Sequence, residues 1–347
     1  MRDVRYDRAP GAAGGEAEVL KRVAVRWGVI GAGDIVRRRV APAICDSPAS
    51  ELTAVSRARA ELARSFAEEF GAQRWYARWL DLVGDHDLDA VYVATPVALH
   101  AEQTIAAAEA GKHVLCEKPM AMTAAECDRM IAACHASGVK LGVAYYRRFY
   151  PAVQRIKAVL AAGEIGKPVF AQMNALEWFD PDARHPRRWL LDPSLAGGGP
   201  MMDFGCHRLE VLVNLFGPVR RASGLTANVV FDRHVEDTAA VLLHFESGPC
   251  AAVAVTHAVV DRQDTLDVFG TRGSIRCAPL NSGELQIIVD GQARVERHAP
   301  DANVHRPLID DFVEAVAANR EPAVGGDTGR HVAAIEDQIY GVTSPVH

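Results

Sequence analysis

The sequence predicts an α/β fold in which a doubly wound parallel sheet precedes a second α/β domain with a largely antiparallel sheet. Three observations predict it. From about residue 22 to 146, short apolar runs alternate with segments of helical period. Beyond residue 150, strand-like runs follow one another without helices of crossover length between most of them. A G-x-G turn closes the first strand, where a parallel sheet places its first helix start.

Taken in order, the first half reads as strands RWGVI, ELTAV, AVYVA, HVLC and VKLGVAY, separated by amphipathic stretches at 60–70, 100–110 and 123–137. Gly71, Gly111 and Gly138 stand just past those stretches, where a left-handed helix cap suits a residue without Cβ. Right-handed crossovers then carry every strand's carboxyl end to one edge of the sheet. After YYRRFYP and a helix AVQRIKAVLAAG, the runs PVFAQMNAL, TAAVLLHFE, CAAVAVTHAV, DTLDVFG, SIRCA, LQIIV and ARVERH read as strands. Ser247-Gly248 and Asp290-Gly291 read as hairpin turns. One helix, 200–217, is embedded among these strands, and two more close the chain near 307–319 and 328–340. The expected divisions are a flexible extension over 1–21, a first domain over 22–146, a second over 147–306 and C-terminal helices over 307–347.

Composition removes several functional classes. With 49% hydrophobic and 24% charged residues, the chain has the make-up of a globular protein. Its formal charge of −6 is spread without a basic block or acidic tail, so neither nucleic acid nor a membrane is expected as a partner. No apolar run approaches the roughly 20 residues of a membrane span. The first twenty residues lack the apolar core of a signal peptide, which points to a cytoplasmic location. The seven cysteines are scattered and lack C-x-x-C spacing, so reduced thiols are expected. The histidines form no H-x-x-x-H or H-E-x-x-H pattern, and no metal is expected.

Chemistry gathers at the strand ends. Gly31 and Gly33, with Asp34 and Ile35 opening the next helix, make a turn at which a pyrophosphate could approach backbone N–H groups. A lone G-x-G also fits an ordinary strand-to-helix turn; its place after the first strand is what favours a dinucleotide. Val36 occupies the third fingerprint position, which is usually small. The second strand ends in Ser56, Arg57 and Arg59, where a hydroxyl and guanidinium forks suit a 2′-phosphate better than an acid would. NADP(H) is therefore favoured as cofactor and NAD(H) remains possible, although both arginines also read as solvated residues at a helix start. Thr95-Pro96 with His100 beyond, and Glu117-Lys118-Pro119, end the next two strands and face the same crevice. Taken alone, Glu117 and Lys118 also read as a solvated strand end.

The second domain contributes GGGPMMDFGCH, in which Asp203 and His207 stand four residues apart on one helical face. They read as a proton-transfer histidine with an orienting carboxylate facing Lys118, or as a capping aspartate and a hydrogen-bonded histidine. Tyr146, Arg147, Trp178 and Trp189 are candidates for substrate contact or for packing between the domains.

With GAGDI, DAVYVATPVALHAE, GKHVLCEKPMAMT, RRFYPAVQRIKAVLAAGEIGKP, GGGPMMDFGCHRLE, VEDTAAVLLHFESG and GTRGSI in view, the chain from about 22 to 341 resembles the Gfo/Idh/MocA family, the glucose-fructose oxidoreductase and inositol dehydrogenase group. The resemblance implies an N-terminal Rossmann domain and a C-terminal α/β domain with an open sheet. It implies nicotinamide-dependent oxidation or reduction of a sugar, polyol or related carbonyl. Lys118 matches the family's catalytic lysine, and Asp203 and His207 its aspartate and histidine on the sheet-domain helix. On this reading Lys118 polarises the reacting oxygen, His207 carries its proton and Asp203 orients the imidazole. A redox-neutral enzyme with tightly held cofactor and a noncatalytic NAD(P)-sensing protein are the alternatives; a sensing module would need no proton-transfer set. An open sheet with an uncovered face further predicts a homodimer or homotetramer built through that sheet.

Overall fold

The first sheet is made of short apolar strands, and its centre is buried on both faces as in sheets covered by helices on each side. Residues 24–342 are described by the computed structural model, and the extension expected over 1–21 lies outside them. The strands are β1 (Val25–Ile30), β2 (Ser50–Ser56), β3 (Arg74–Tyr76), β4 (Ala90–Val93), β5 (His113–Cys116) and β6 (Leu141–Val143). They pair in parallel in the order β3-β2-β1-β4-β5-β6. The order reverses on either side of β1, and the crevice opens there, outside the carboxyl ends of β1 and β4. Edge strand β3 was not anticipated, nor was the short helix Trp79–Val83 that follows it. A half-exposed strand of three residues, Arg-Trp-Tyr, has too little length for a period to show.

The second sheet comprises β7 (Pro168–Trp178), β8 (Val219–Ala227), β9 (Thr238–Phe245), β10 (Cys250–Thr256), β11 (Ala258–Gly270), β12 (Gly273–Cys277), β13 (Glu284–Val289) and β14 (Gln292–Arg297). Their order is β14-β13-β12-β11-β7-β10-β9-β8. Every neighbouring pair is antiparallel except β7 with β10. The sequence reading missed β8, because VRRASGLTA is an edge strand exposed along most of its length and carries no alternating apolar signal. The β13–β14 turn falls at Asp290-Gly291, both with positive φ (48° and 80°), as a two-residue hairpin with the twist of its strands requires.

Alternation divides this sheet into two faces. Ala239, Val241, Leu243 and Phe245 of β9 are buried, and Phe245 meets Phe216 of the helix Cys206–Phe216 with ring centroids 5.2 Å apart. The other face carries Leu225, Ala240, Ala254, Asn174 and Thr265 as directly opposed neighbours across five strands. Leu225 and Leu242 on that face are 79% and 62% exposed, so an apolar surface faces solvent.

The closing helices return to the first sheet. Phe312 of the helix Arg306–Ala317 packs on Trp27 of β1 at 5.4 Å between ring centroids, and Gly142 bridges to Gly325 just before the helix Gly326–Tyr340. All seven cysteines are free thiols, and among the described residues no helix is long and apolar enough to cross a membrane.

One side chain ties together the loops that carry the crevice. His100, fully buried, places its two ring nitrogens 2.9 Å from the carbonyl oxygens of Thr95 and Pro119, joining the loop after β4 to the loop after β5. Each buried group left unsatisfied costs about 1–3 kcal/mol. His100→Ala is therefore expected to lower unfolding stability by roughly 2–4 kcal/mol in a denaturant titration. A midpoint within error of the parent would show that the two loops hold their positions independently.

Candidate active site

The glycine turn begins the site. Gly31 has φ +88°, and a Cβ there would fall 2.6 Å from the carbonyl oxygen of Ala94, so the residue must lack one. The amides of Gly31 and Ala32 donate to the carbonyl of Ser56, at 3.0 and 3.2 Å, fixing the turn against β2. Gly33 opens on the cleft, where an added Cβ would meet nothing closer than 3.6 Å. Val36 is fully buried in the helix that follows, and the turn Val36–Val40 is widened by one residue, closing with Ala41 N–H on Val36 O. Arg57 reaches over the turn, its Nη1 donating to Ala32 O at 3.2 Å, and lines the cleft with Arg38. Bare backbone at Gly33, with guanidinium groups beside it, fits the phosphate groups of a dinucleotide.

Lys118 enters from the loop after β5. Its ammonium donates to the backbone carbonyl of Asp203 and lies 3.6 Å from Asp203 Oδ1, so the two sheets' contributions meet at this pair. Asp203 sits in the widened turn Met201–Gly205 that leads into the helix Cys206–Phe216. Its Oδ2 accepts from Arg187 Nη2 at 2.7 Å and lies 3.7 Å from His257 Nε2. Burial pushes the Asp203 carboxyl pKa up, but His257, Lys118 and Arg187 together hold it far below the usual carboxylate range. Burial likewise pulls Lys118 down, and the neighbouring Cys206, Asp203 and Glu117 more than offset it, so the amine stays charged. Glu117 accepts from Tyr92 Oη at 2.8 Å and from the Lys118 amide at 3.1 Å; its burial raises its pKa.

The expected pairing of Asp203 with His207 is corrected by this geometry. The aspartate's oxygens face two cationic side chains, Lys118 and Arg187, and a cation attracts a carboxylate more strongly than a neutral imidazole does. His207 instead stands edge-on to Tyr145 and Tyr146, with centroids 5.7 and 4.8 Å away, and its Nδ1 has no partner among the described residues. Burial, then repulsion from Lys118, Arg147 and Arg208, keeps its pKa well below the ordinary value. The imidazole is therefore neutral at pH 7.

These groups line one cleft of about 470 Å³. Gly33, Asp34, Ile35, Arg57 and Thr95 line its dinucleotide end. Glu117, Lys118, Asp203 and His207 line it further in, with Tyr146, Arg147 and Trp189. Six expected residues do not line it. Gly31 shapes the turn from beneath, and Ser56 is buried and offers its carbonyl to that turn. Arg59 is exposed at the start of the helix Ala60–Phe70, and half-buried Pro96 precedes a short turn, Val97–Leu99. His100 is the loop brace, its two ring nitrogens lying against two carbonyls, one of which takes its N–H. Trp178 is half exposed at the end of β7, against Phe231. Sequence reasoning missed Arg187, Arg208, His257, Asp264 and His305. Only Arg208 gave a signal, being a charged residue next to His207 in a helix with apolar residues around it. Among the described residues no cluster of His, Cys, Asp and Glu is arranged to hold a metal.

Comparison with known proteins identifies a family and several relatives. A model of the GFO_IDH_MocA oxidoreductase family, with NAD-binding Rossmann fold, matches residues 25–145, and the GFO/IDH/MocA C-terminal domain matches 153–276. The chain is 31% identical to 1,5-anhydro-D-fructose reductase of Ensifer adhaerens over 309 residues, 88% of this chain and 92% of that one. It is 31% identical to D-xylose 1-dehydrogenase (NADP(+)) 2 of Haloferax volcanii over 319 residues, 90% of this chain and 96% of that one. Among solved structures, aldose-aldose oxidoreductase from Caulobacter crescentus, complexed with glycerol, superposes with a TM-score of 0.84 at 30% identity. That match covers 92% of this chain and 97% of that one. Levoglucosan dehydrogenase in complex with NADH and levoglucosan gives 0.83 at 26% identity, covering 92% and 96%.

Proposed function

Because the chain belongs to the GFO/IDH/MocA family of oxidoreductases, we propose that it transfers hydride between a nicotinamide dinucleotide and a carbinol or carbonyl carbon of a sugar, polyol or related compound. One observation carries this reading: a charged lysine and a neutral histidine, from different sheets, line one cleft that begins at a glycine turn suited to pyrophosphate. When bound, the nicotinamide supplies the two-electron chemistry. The chain supplies the rest. Gly33, Arg38 and Arg57 hold the phosphates. Lys118 stays protonated and stabilises negative charge developing on the substrate oxygen. His207, neutral at pH 7, is in the base form that takes the proton of an alcohol, and returns it in the reverse direction. Asp203 acts on Lys118, fixing the ammonium and keeping it charged. The seven free thiols support the cytoplasmic location expected from the sequence.

Lys118→Ala is expected to lower turnover about a hundredfold or more, roughly 2.7 kcal/mol of transition-state stabilisation, while cofactor affinity changes little. Steady-state kinetics on a panel of sugars and polyols, beside a melt with and without NADPH, checks this. Full activity in a folded, cofactor-binding Lys118→Ala protein would remove the lysine from the mechanism.

The cofactor we favour is NADP(H), on the guanidinium groups of Arg57 and Arg59 at the end of β2. A charge-assisted fork to a 2′-phosphate is worth on the order of 1.5–3 kcal/mol, or roughly ten- to a hundredfold in affinity. Titration of NADPH and NADH should show that preference, and Arg57→Ala should reduce it; tighter binding of NADH would overturn the assignment.

For assembly we propose a homodimer or homotetramer through the second sheet, whose solvent face exposes Leu225 and Leu242 beside Ala240 and Ala254. Light scattering at micromolar concentration is expected to report more than one chain per particle. A monomeric mass would defeat the proposal.

A further inference from the structure

We infer that the substrate of this site is a sugar acid, its carboxylate received by Arg147 and Arg208; the inference rests on the oxidoreductase reading above and narrows its substrate class. Both arginines line the cleft beside His207, yet they are only 9% and 5% exposed. They share one counter-ion. Asp264 of β11 accepts from Arg147 Nη1 at 3.1 Å and from Arg208 Nη2 at 2.7 Å. Arg208 Nη1 also donates to Phe204 O at 3.0 Å. Among the described residues the Arg147 guanidinium makes no second hydrogen bond, and the Nε of each arginine has no partner.

A guanidinium does not give up its proton in a protein, so two of them against one carboxylate leave one positive charge uncompensated in a buried place. Leaving a buried charge unpaired is strongly destabilising. No nearby acid is free to remove it. Asp203 already serves Lys118 and Arg187, Glu117 is held by Tyr92 Oη and the Lys118 amide, and Glu177 lies 3.6 Å from Arg262. The aromatic faces of Tyr146, Tyr150 and Phe204 hold the guanidinium planes at 5.4–6.0 Å from their centroids without neutralising them. A neutral polyol would leave the same excess in place, whereas an anion removes it. One charge of excess matches a carboxylate, which also presents two coplanar oxygens to a guanidinium fork; a phosphate near its dianionic state would overshoot. The same arginines repel a proton from His207. A carboxylate set between them relieves that repulsion, so binding an acid would ready the histidine to carry the substrate's proton.

The test compares matched pairs in the wild-type enzyme: glucuronate with glucose, galacturonate with galactose, and gluconate with sorbitol, with glucose 6-phosphate added. The acid of at least one pair is expected to exceed its neutral partner in kcat/KM by about tenfold or more. Arg208→Gln should lower that ratio by about tenfold, and Arg208→Lys should retain more of it, with NADPH binding and melting as the check on folding. Preference for the neutral member in every pair overturns the inference, as does an unchanged ratio in folded Arg208→Gln. Preference for glucose 6-phosphate over glucuronate overturns the carboxylate assignment. If no compound changes NADPH absorbance, it is the oxidoreductase reading that fails. The anion site is then judged by thermal shift: stabilisation by glucuronate that glucose does not reproduce and salt weakens supports it, and equal or absent shifts overturn it.

Discussion

The buried ion pair between Lys118 and Asp203 is the constraint on which the site depends. Lys118 ends a strand of the first sheet, and Asp203 precedes a helix packed on the second, so their contact sets the distance between the two halves of the cleft. Such a pair is expensive to bury, and it persists only where further polar partners complete it. Here Arg187 takes the second carboxylate oxygen, His257 stands behind it, and the lysine also reaches the Asp203 backbone carbonyl. The consequence is chemical as well as structural. A lysine so placed keeps its charge despite burial, and a charged lysine at the inner end of the cleft is what a developing alkoxide requires.

Around that pair the cleft is graded in charge. Its outer end has backbone amides and two arginines and suits phosphates. Its inner end has more cationic than anionic groups, with carboxylates shared between two partners at both Asp203 and Asp264. His207 and His305 stay neutral: burial first, then nearby cations, lower both, and His305 is brought down to about 3 by burial, Arg39 and Lys118. Neutral imidazoles beside fixed cations make a region that can take a proton from a bound molecule without adding to the positive charge already present.

The strand ends supply these groups, and what lies behind them keeps them in place. His100 joins two loops, Ser56 anchors the glycine turn through its carbonyl, and Phe312 brings the chain's end back onto β1. The second sheet separates its duties by face. The side packed on the helix Cys206–Phe216 positions Asp203, His207 and Arg208, while the opposite side exposes Leu225 and Leu242 to solvent.

What the sequence determined by itself is whatever repeats or punctuates locally. The alternation of strand and helix over the first half, the period-2 pattern of β9 and the glycines at positive φ were legible because each depends on a few adjacent residues. Lys118, Asp203 and His207 were legible because short motifs carry them. Strands β3 and β8 were not, because edge strands can be short or polar and need no apolar face. The partner of Asp203 was decided only by the tertiary structure: spacing put His207 within reach, but Lys118 and Arg187, from two other segments, are cations that attract a carboxylate more strongly. The same holds for Asp264, one acid among several in a strand until folding sets two arginines against it, and for His100, which resembled a ligand contact and became a brace. Local patterns fix backbone conformation, whereas charge pairing depends on which groups share a buried space, and that is settled only when distant segments pack.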